Sequence, residues 1–285
     1  METHLDSSAM IRVVNGDLVA DVLQAAERQR ADIWVSLPAM DETLAGDDDD
    51  YIRRVSSAYL RLFDSSRFRL SIGFEALLDQ ELHGPLDSTP MASKEVRRIR
   101  RQAMQQLVAA EHPAALLREL RIGMERMKKP WKEEDKKLGA AIWERWGMSP
   151  REIAAELDQL SPEKLPDWLF ELAAPQLQRI DLPKAASIRE QPKRYRCVLA
   201  WFGMLLLWSA AIAVPSNLRT QHAIFEDLRP DPNDFLDARI AAEAAYGNVL
   251  VTNDGGQAAR CEMLRERKLI FFRSMIVDAF LGKGL

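Results

Sequence analysis

Residues 234–254, with the sequence DFLDARIAAEAAYGNVLVTND, decide the predicted fold. Alanine and isoleucine favour a helix that begins with acidic residues, where the helix dipole favours negative charge, and Gly247-Asn248 ends it. The run Val249–Val251 is short and lacks polar alternation, which is typical of an interior strand of a parallel sheet. Asp254 follows the carboxyl end of this strand. Open α/β sheets bind their ligands at that edge, so Asp254 is a candidate site residue.

A second alternation of strands and helices is predicted at the N-terminus. Residues 10–15 (MIRVVN) predict a first strand, and Gly16-Asp17 begins a helix. Ile33–Ser36 predict a second strand, with Pro38 in the first turn of the next helix. Near the C-terminus, residues 268–272 (KLIFF) predict the last strand. This order predicts an α/β fold with a central parallel sheet of four to five strands flanked by helices.

The strand signal fades between residues 51 and 192, where helical patterns are separated by proline and glycine. We therefore predict a large all-helical insertion or subdomain over residues 51–192. The α/β domain is then discontinuous and consists of residues 1–50 and 193–285.

Composition limits the functional classes. The formal net charge of −4 argues against a strongly basic protein that coats nucleic acid without regard to sequence. Two cysteines without metal-ligand spacing fit a reducing cytoplasm, and no signal peptide is indicated. Residues 197–214 are almost entirely apolar, but glycine, serine and alanine dilute the hydrophobicity. A buried central helix is the preferred interpretation, and no membrane partner is expected.

Four acids occupy comparable places in the predicted α/β units: Asp17, Glu42, Asp237 and Asp254. In a parallel sheet such places can meet at one edge, which would bring together carboxylates that are distant in sequence. Carboxylates are the ligands that Mg²⁺ and Mn²⁺ prefer, and these ions can activate water and stabilise charge during phosphodiester hydrolysis. Taken singly, each acid is better explained as a helix-end charge, a turn residue or a solvent-facing residue, and only their joint occurrence favours a site.

The segments DARIAAEA, beginning at Asp237, and VLVTND, ending at Asp254, resemble the second half of a PIN domain, a nuclease fold of toxin RNases and RNA-processing enzymes. Residues 36–42 (SLPAMDE) are similar to the family's second motif, in which a glutamate follows the strand end by six positions. The resemblance implies a ribonuclease that uses Mg²⁺ or Mn²⁺ and acts on single-stranded RNA. It implies that Glu42, Asp237 and Asp254 are catalytic metal ligands, with Thr252 as a polar neighbour.

The first motif departs from the family pattern. The family's acid closes the first strand, whereas the predicted strand places Asn15 there and Asp17 two residues later. Asn15 can coordinate through its amide oxygen but carries no charge. We therefore expect Asp17 to act as the fourth catalytic and metal-binding acid, with Asn15 as an auxiliary residue. Asp234, three residues before Asp237 on one helix face, is a further auxiliary candidate.

Two basic clusters are candidates for RNA contact: Arg97, Arg98, Arg100 and Arg101 in the first, and Lys128, Lys129 and Trp131 in the second. Cations attract phosphates and an aromatic ring can stack on a base, although a solvated helix face gives the same pattern.

The sequence thus predicts a cytoplasmic PIN-like endoribonuclease, in the manner of a toxin or defence RNase. RNA is its substrate, and an inhibitory or assembly protein partner or homo-oligomerisation is left open. The alternative is a catalytically weakened PIN-like scaffold that binds RNA or a protein through its helical insertion.

Overall fold

A computed structural model describes residues 1–84, 86–126, 144, 147, 149–167, 182–214, 225, 228 and 234–283. Within these residues, five strands form one parallel sheet in the order β3-β2-β1-β4-β5. The strands are β1 (Glu2–Leu5), β2 (Asp32–Ser36), β3 (Phe68–Ser71), β4 (Val249–Thr252) and β5 (Arg273–Ile276). The predicted α/β class and the parallel sheet are confirmed.

Helices cover both faces of the sheet. In the described part of the chain, the helices are, in order, α1 (Ser7–Asn15), α2 (Val19–Gln29), α3 (Leu37–Leu44), α4 (Asp49–Phe63), α5 (Phe74–His83), α6 (Lys94–Ala109), α7 (Pro113–Leu116), α8 (Pro150–Asp158), α9 (Leu182–Glu190), α10 (Arg196–Ala213), α11 (Asp234–Glu243), α12 (Gly255–Glu266) and α13 (Val277–Leu281). Residues 118–126 are also helical, and 3-10 turns lie at Pro162–Lys164 and Ala244–Tyr246.

The sheet separates two hydrophobic cores. Alternate residues of a strand point to opposite faces, and in β4 Val251 packs into one core and Leu250 into the other. The core on the Val251 side is formed with α1, α2 and α4, whereas the core on the Leu250 side is formed with α5, α10 and α11. Both faces are therefore buried, which explains why the interior strands lack polar alternation.

The first strand prediction was wrong. Residues 10–15 belong to helix α1, in which Met10, Val13 and Val14 are buried while Ile11 and Arg12 are exposed. This is the spacing of one helix face, so the β-branched pair packs as part of a helix. The true first strand is the four-residue β1, whose polar residues Glu2 and Thr3 concealed it.

Two other predictions about strands also need correction. The stretch 51–192 is not all-helical, because it contains β3, which pairs with β2 at the edge of the sheet. The last strand is β5 and not residues 268–272. That segment connects α12 to β5. Its apolar residues Leu269, Ile270 and Phe272 are buried in the same core as α10.

Helix α10 contains most of the apolar segment considered above. It is long and apolar enough to cross a membrane by length and composition, but 89% of it is buried inside the protein. Among the described residues it is the only such helix. It packs against α5, α11 and α12, which agrees with the predicted buried central helix.

The N-terminus of α10 is capped by a carboxylate from another helix. Glu81 of α5 accepts hydrogen bonds from the amides of Cys197 (2.7 Å) and Val198 (2.9 Å). The Tyr246 hydroxyl donates a third bond to Glu81 at 2.6 Å. Burial raises the pKa of Glu81 to about 7, although these donors favour its ionised form. The contact joins α5, α10 and the turn before β4, and it satisfies amides that no residue within α10 can pair.

We expect Glu81→Ala to lower the free energy of unfolding by roughly 2–4 kcal/mol, because two buried amides lose their acceptor. Urea denaturation at pH 7 measures this change. Glu95→Ala removes an exposed acid that pairs with Arg98, so it is the control and should change stability by less than about 1 kcal/mol. Equal losses in the two variants would contradict the capping role.

Candidate functional site

The acid at the centre of the carboxyl edge of the sheet is Asp6, which the sequence predictions missed. Leu5 pairs with Val35 of β2 and with Val251 of β4, so the next residue, Asp6, lies level with Ser36 and Thr252. The Asp6 amide donates to the Val251 carbonyl at 3.1 Å. Asp6 thus follows the central strand and lies between the ends of β2 and β4. Glu42 follows β2 in the sequence, and Asp254 follows β4.

The Asp6 side chain is held by the start of α1. It accepts hydrogen bonds from the Ala9 amide (2.6 Å) and from the Ser8 hydroxyl (2.9 Å to Oδ1 and 3.1 Å to Oδ2). It is therefore the N-cap of α1. The signal for this role is the sequence Asp-Ser-Ser-Ala before a helical pattern. The predicted strand over residues 10–15 conceals this signal, because it places the strand on residues that belong to the helix.

Burial makes the Asp6 charge costly. The side chain is buried, and this raises the pKa of Asp6 to about 6 from an ordinary value of 3.8. The Thr252 hydroxyl, the Ala9 amide and the Ser8 hydroxyl counteract the shift, whereas the nearby charge of Glu42 adds to it. A buried carboxylate beside another acid, at the ligand-binding edge of a sheet, is a recognised pattern of functional sites.

Glu42 lies beside Asp6, as the predicted convergence requires. It is half-buried on α3, and Ser7 donates a hydrogen bond to its Oε2 atom at 2.7 Å. Ser7 and Ser8 are consecutive residues of α1, and each donates to a different carboxylate: Ser7 to Glu42 and Ser8 to Asp6. Glu42 and Asp6 are thereby attached to the same helix end.

Asp237 reaches the same region from α11. It is buried, and together with Asp6 it acts on the thiol of Cys261 in α12. Burial is the main cause that raises the pKa of Cys261, and the charges of Asp237 and then Asp6 raise it further. One thiol therefore lies close to carboxylates from two distant segments.

Asp254 and Thr252 have defined roles at the start of α12. The Asp254 carboxylate accepts hydrogen bonds from the amides of Gly256 (2.7 Å) and Gln257 (3.0 Å), so it caps the helix. The buried Thr252 hydroxyl lies 3.0 Å from the Ser8 hydroxyl and contacts Asp6. Thr252 is thus a polar neighbour of Asp6, and its role beside a metal ion stays a prediction. For Asp254 the structure shows the capping role, which the sequence offered as the alternative to metal binding.

Asp17 and Asn15 lie away from this cluster. Asn15 is the last residue of α1, and a nine-residue helix separates it from Asp6 by about 13 Å along the axis. Asp17 adopts a left-handed conformation (φ 49°) in the turn before α2. Its side chain is 87% exposed and pairs with Arg61 at 2.9 Å. The expectation that these two residues complete the site is wrong, because the strand that was to carry them is a helix.

The remaining acidic and basic candidates are placed as follows. Asp234 begins α11, but its side chain lies outside the described residues. The described basic cluster lies on α6, and each of its arginines has a partner within the protein. Arg97 donates to the carbonyls of Phe63 and Phe68, Arg98 pairs with Glu95, Arg100 with Asp41, and Arg101 with Asp64. Lys128, Lys129 and Trp131 lie outside the described residues, so their RNA contact stays a prediction.

A second buried acid, Glu243, was also missed. It is 1% exposed on α11, and its carboxylate makes no hydrogen bond of good geometry among the described residues, although the Ser36 hydroxyl and the Phe74 amide lie near it. Burial raises the pKa of Glu243 to about 7, and the influence of Ser36, Phe74 and Arg239 offsets only part of this effect.

The cluster offers oxygen ligands of the type that hard cations take. In the described part of the chain, no three His, Cys, Asp or Glu side chains are grouped closely enough to hold a metal ion. A preformed cage is therefore not present there. Mg²⁺, however, is usually bound through only one or two carboxylates, with water and substrate phosphates as its other ligands. Asp6 with Glu42 or Asp237 fits that requirement in chemistry and charge.

Comparisons of the chain with protein-family models, curated proteins and solved structures found no match.

Proposed function

We propose that the protein is a PIN-like ribonuclease that hydrolyses single-stranded RNA with the help of Mg²⁺ or Mn²⁺. The observation that carries the proposal is the position of Asp6, a buried acid that closes the central strand beside Glu42. The family pattern requires an acid at the end of the first strand, and Asn15 had left that requirement unmet. With Asp6 in this position, the main reason for preferring a catalytically weakened scaffold disappears.

Asp6, together with Glu42 or Asp237, would hold the cation, with water and substrate phosphate as its other ligands. When bound, such an ion supplies charge stabilisation at the phosphate and lowers the pKa of an attacking water. The protein's own contribution is orientation. Ser7 fixes Glu42, Ser8 fixes Asp6, and the backbone of α1 holds both serines at the edge of the sheet. Because these contacts are made within the protein itself, little reorganisation is needed when a cation and a phosphate bind.

The raised pKa of Asp6 also supports this proposal. The folded protein holds the Asp6 carboxylate where its negative charge is unfavourable, and a divalent cation would remove that penalty. Sites that reduce stability in the absence of a ligand are a common consequence of selection for function.

The experiment that tests this function compares two Asp→Asn variants in the presence of Mn²⁺ and single-stranded RNA. We expect Asp6→Asn to lower the cleavage rate by at least about 100-fold, since a carboxylate ligand is lost. Asp17→Asn is the matched control and should cleave at the wild-type rate, because Asp17 is exposed and lies outside the cluster. Gel analysis of a labelled oligonucleotide measures both rates.

Absence of Mn²⁺-dependent cleavage by the wild-type protein would overturn the function. Equal cleavage by wild type and Asp6→Asn would overturn the assignment of the site.

A further prediction concerns stability and pH. Asp6, Glu81 and Glu243 have pKa values raised to about 6, 7 and 7 in the folded protein, from ordinary values of 3.8, 4.5 and 4.5. The unfolded chain therefore loses these protons at lower pH than the folded protein does. The stabilisation is complete below about pH 4 and is lost as the pH rises to about 7. Exposed acids with lowered pKa values, such as Glu152, act in the opposite direction below this window.

We expect the free energy of unfolding, measured by urea denaturation without divalent cations, to fall between pH 4 and pH 7. Asp6→Asn should be more stable than wild type at pH 7 by roughly 2–3 kcal/mol, because it removes the penalty of ionising Asp6. The difference should shrink towards pH 4, where wild-type Asp6 is protonated. A constant difference at all pH values would contradict this explanation.

A further inference from the structure

Gln257 is a buried polar residue behind the acid cluster, and the roles described so far do not explain it. It is 0% exposed in the first turn of α12. Its side-chain oxygen lies 2.9 Å from the Thr252 hydroxyl, and its Nε2 atom has no hydrogen-bond partner among the described residues. Burying an unpaired amide group is costly, and an apolar side chain of similar size would avoid that cost. Packing alone therefore does not explain why position 257 is a glutamine.

The proton inventory around Thr252 suggests one. Each hydroxyl has a single proton to donate and can accept two hydrogen bonds. Ser8 accepts from the Asn253 amide (2.8 Å) and donates to Asp6. Thr252 accepts from the Asp254 amide (2.9 Å). If Thr252 gave its proton to Gln257, the 3.0 Å contact between Thr252 and Ser8 would have no proton in it.

Turning the Gln257 amide by 180° removes this conflict. The oxygen and nitrogen of a glutamine amide have nearly the same shape, so hydrogen bonding decides their orientation. In the turned orientation Nε2 donates to Thr252, and Thr252 donates to Ser8. Ser8 then donates to Asp6, and both hydroxyls use their full capacity as donor and acceptor.

We propose that Gln257 is a positioning residue for Asp6. It acts as the first donor of a hydrogen-bond chain that runs from Gln257 through Thr252 and Ser8 to Asp6. The hydrogen-bond chain links α12 to the start of α1 through the end of β4. It thereby fixes the orientation of the Asp6 carboxylate at the edge of the sheet. Gln257 is fully buried and touches neither substrate nor cation. The inference rests on the proposed function, because its consequence is a higher affinity of Asp6 for a divalent cation.

The test is calorimetric titration of Mn²⁺ into four proteins: wild type, Gln257→Met, Thr252→Val and the double variant. Removing a partner that orients a metal ligand typically weakens metal binding by 10–100-fold, and we expect a loss of about 10-fold for Gln257→Met. Because Gln257 acts through Thr252, the double variant should bind Mn²⁺ no more weakly than Thr252→Val alone.

Stability distinguishes positioning from packing. Methionine fills a similar volume without a polar group, so Gln257→Met should keep the wild-type melting temperature or raise it. Leu264→Ala, which creates a cavity under the same helix, is the control and should lower the melting temperature while leaving the Kd for Mn²⁺ unchanged.

Each alternative outcome has a definite meaning. If wild type binds no Mn²⁺, the proposed function fails and this inference fails with it. If wild type binds Mn²⁺ and Gln257→Met binds it equally well, this inference alone is overturned. If the double variant loses Mn²⁺ affinity by the product of the two single-variant losses, Gln257 does not act through Thr252. That result would overturn the proposed hydrogen-bond chain.

Discussion

The parallel pairing of β1 with β2 on one side and β4 on the other is the constraint on which the rest of the structure depends. β1 has only four residues, yet its register with both neighbours places three chain segments at one edge of the sheet. Parallel strands require long crossover connections, so residues near positions 6, 36 and 252 become neighbours only when this pairing forms. A slip of one residue would turn Leu5 out of its core and move Asp6 from the edge.

The edge created by this pairing contains charges that do not favour folding. Asp6 and Glu243 are buried acids, and their raised pKa values show that burial outweighs the hydrogen bonds and charges around them. Glu81, which caps α10, has a comparable shift but a clear structural purpose, because it pairs two amides of the helix that fills one core. Asp6 also caps a helix, but an uncharged Asn or Ser could accept the same hydrogen bond from the Ala9 amide without the cost of a buried charge. For this reason the acid at position 6 is best interpreted by function.

Much of the α/β unit at the C-terminal end could be predicted because its signals are local. Alanine content, acidic residues in the first turn and Gly247-Asn248 are enough to define α11 and its end, and a short β-branched run is enough to define β4. The same approach failed at the N-terminus. Val13 and Val14 have high strand propensity, but packing of α1 on the sheet outweighs that propensity, while β1 is too short and polar to be recognised.

The sequence by itself determined the α/β class, the buried α10, and two members of the acid cluster, Glu42 and Asp237. These follow from periodicity, composition and motif spacing, which act over a few residues. Only the tertiary structure decided that Asp6 is the central acid, that Asp17 is an exposed turn residue, and that the arginines of α6 are paired within the protein. Those assignments depend on strand register and on burial. Both arise from contacts between residues far apart in the chain, which no local pattern specifies.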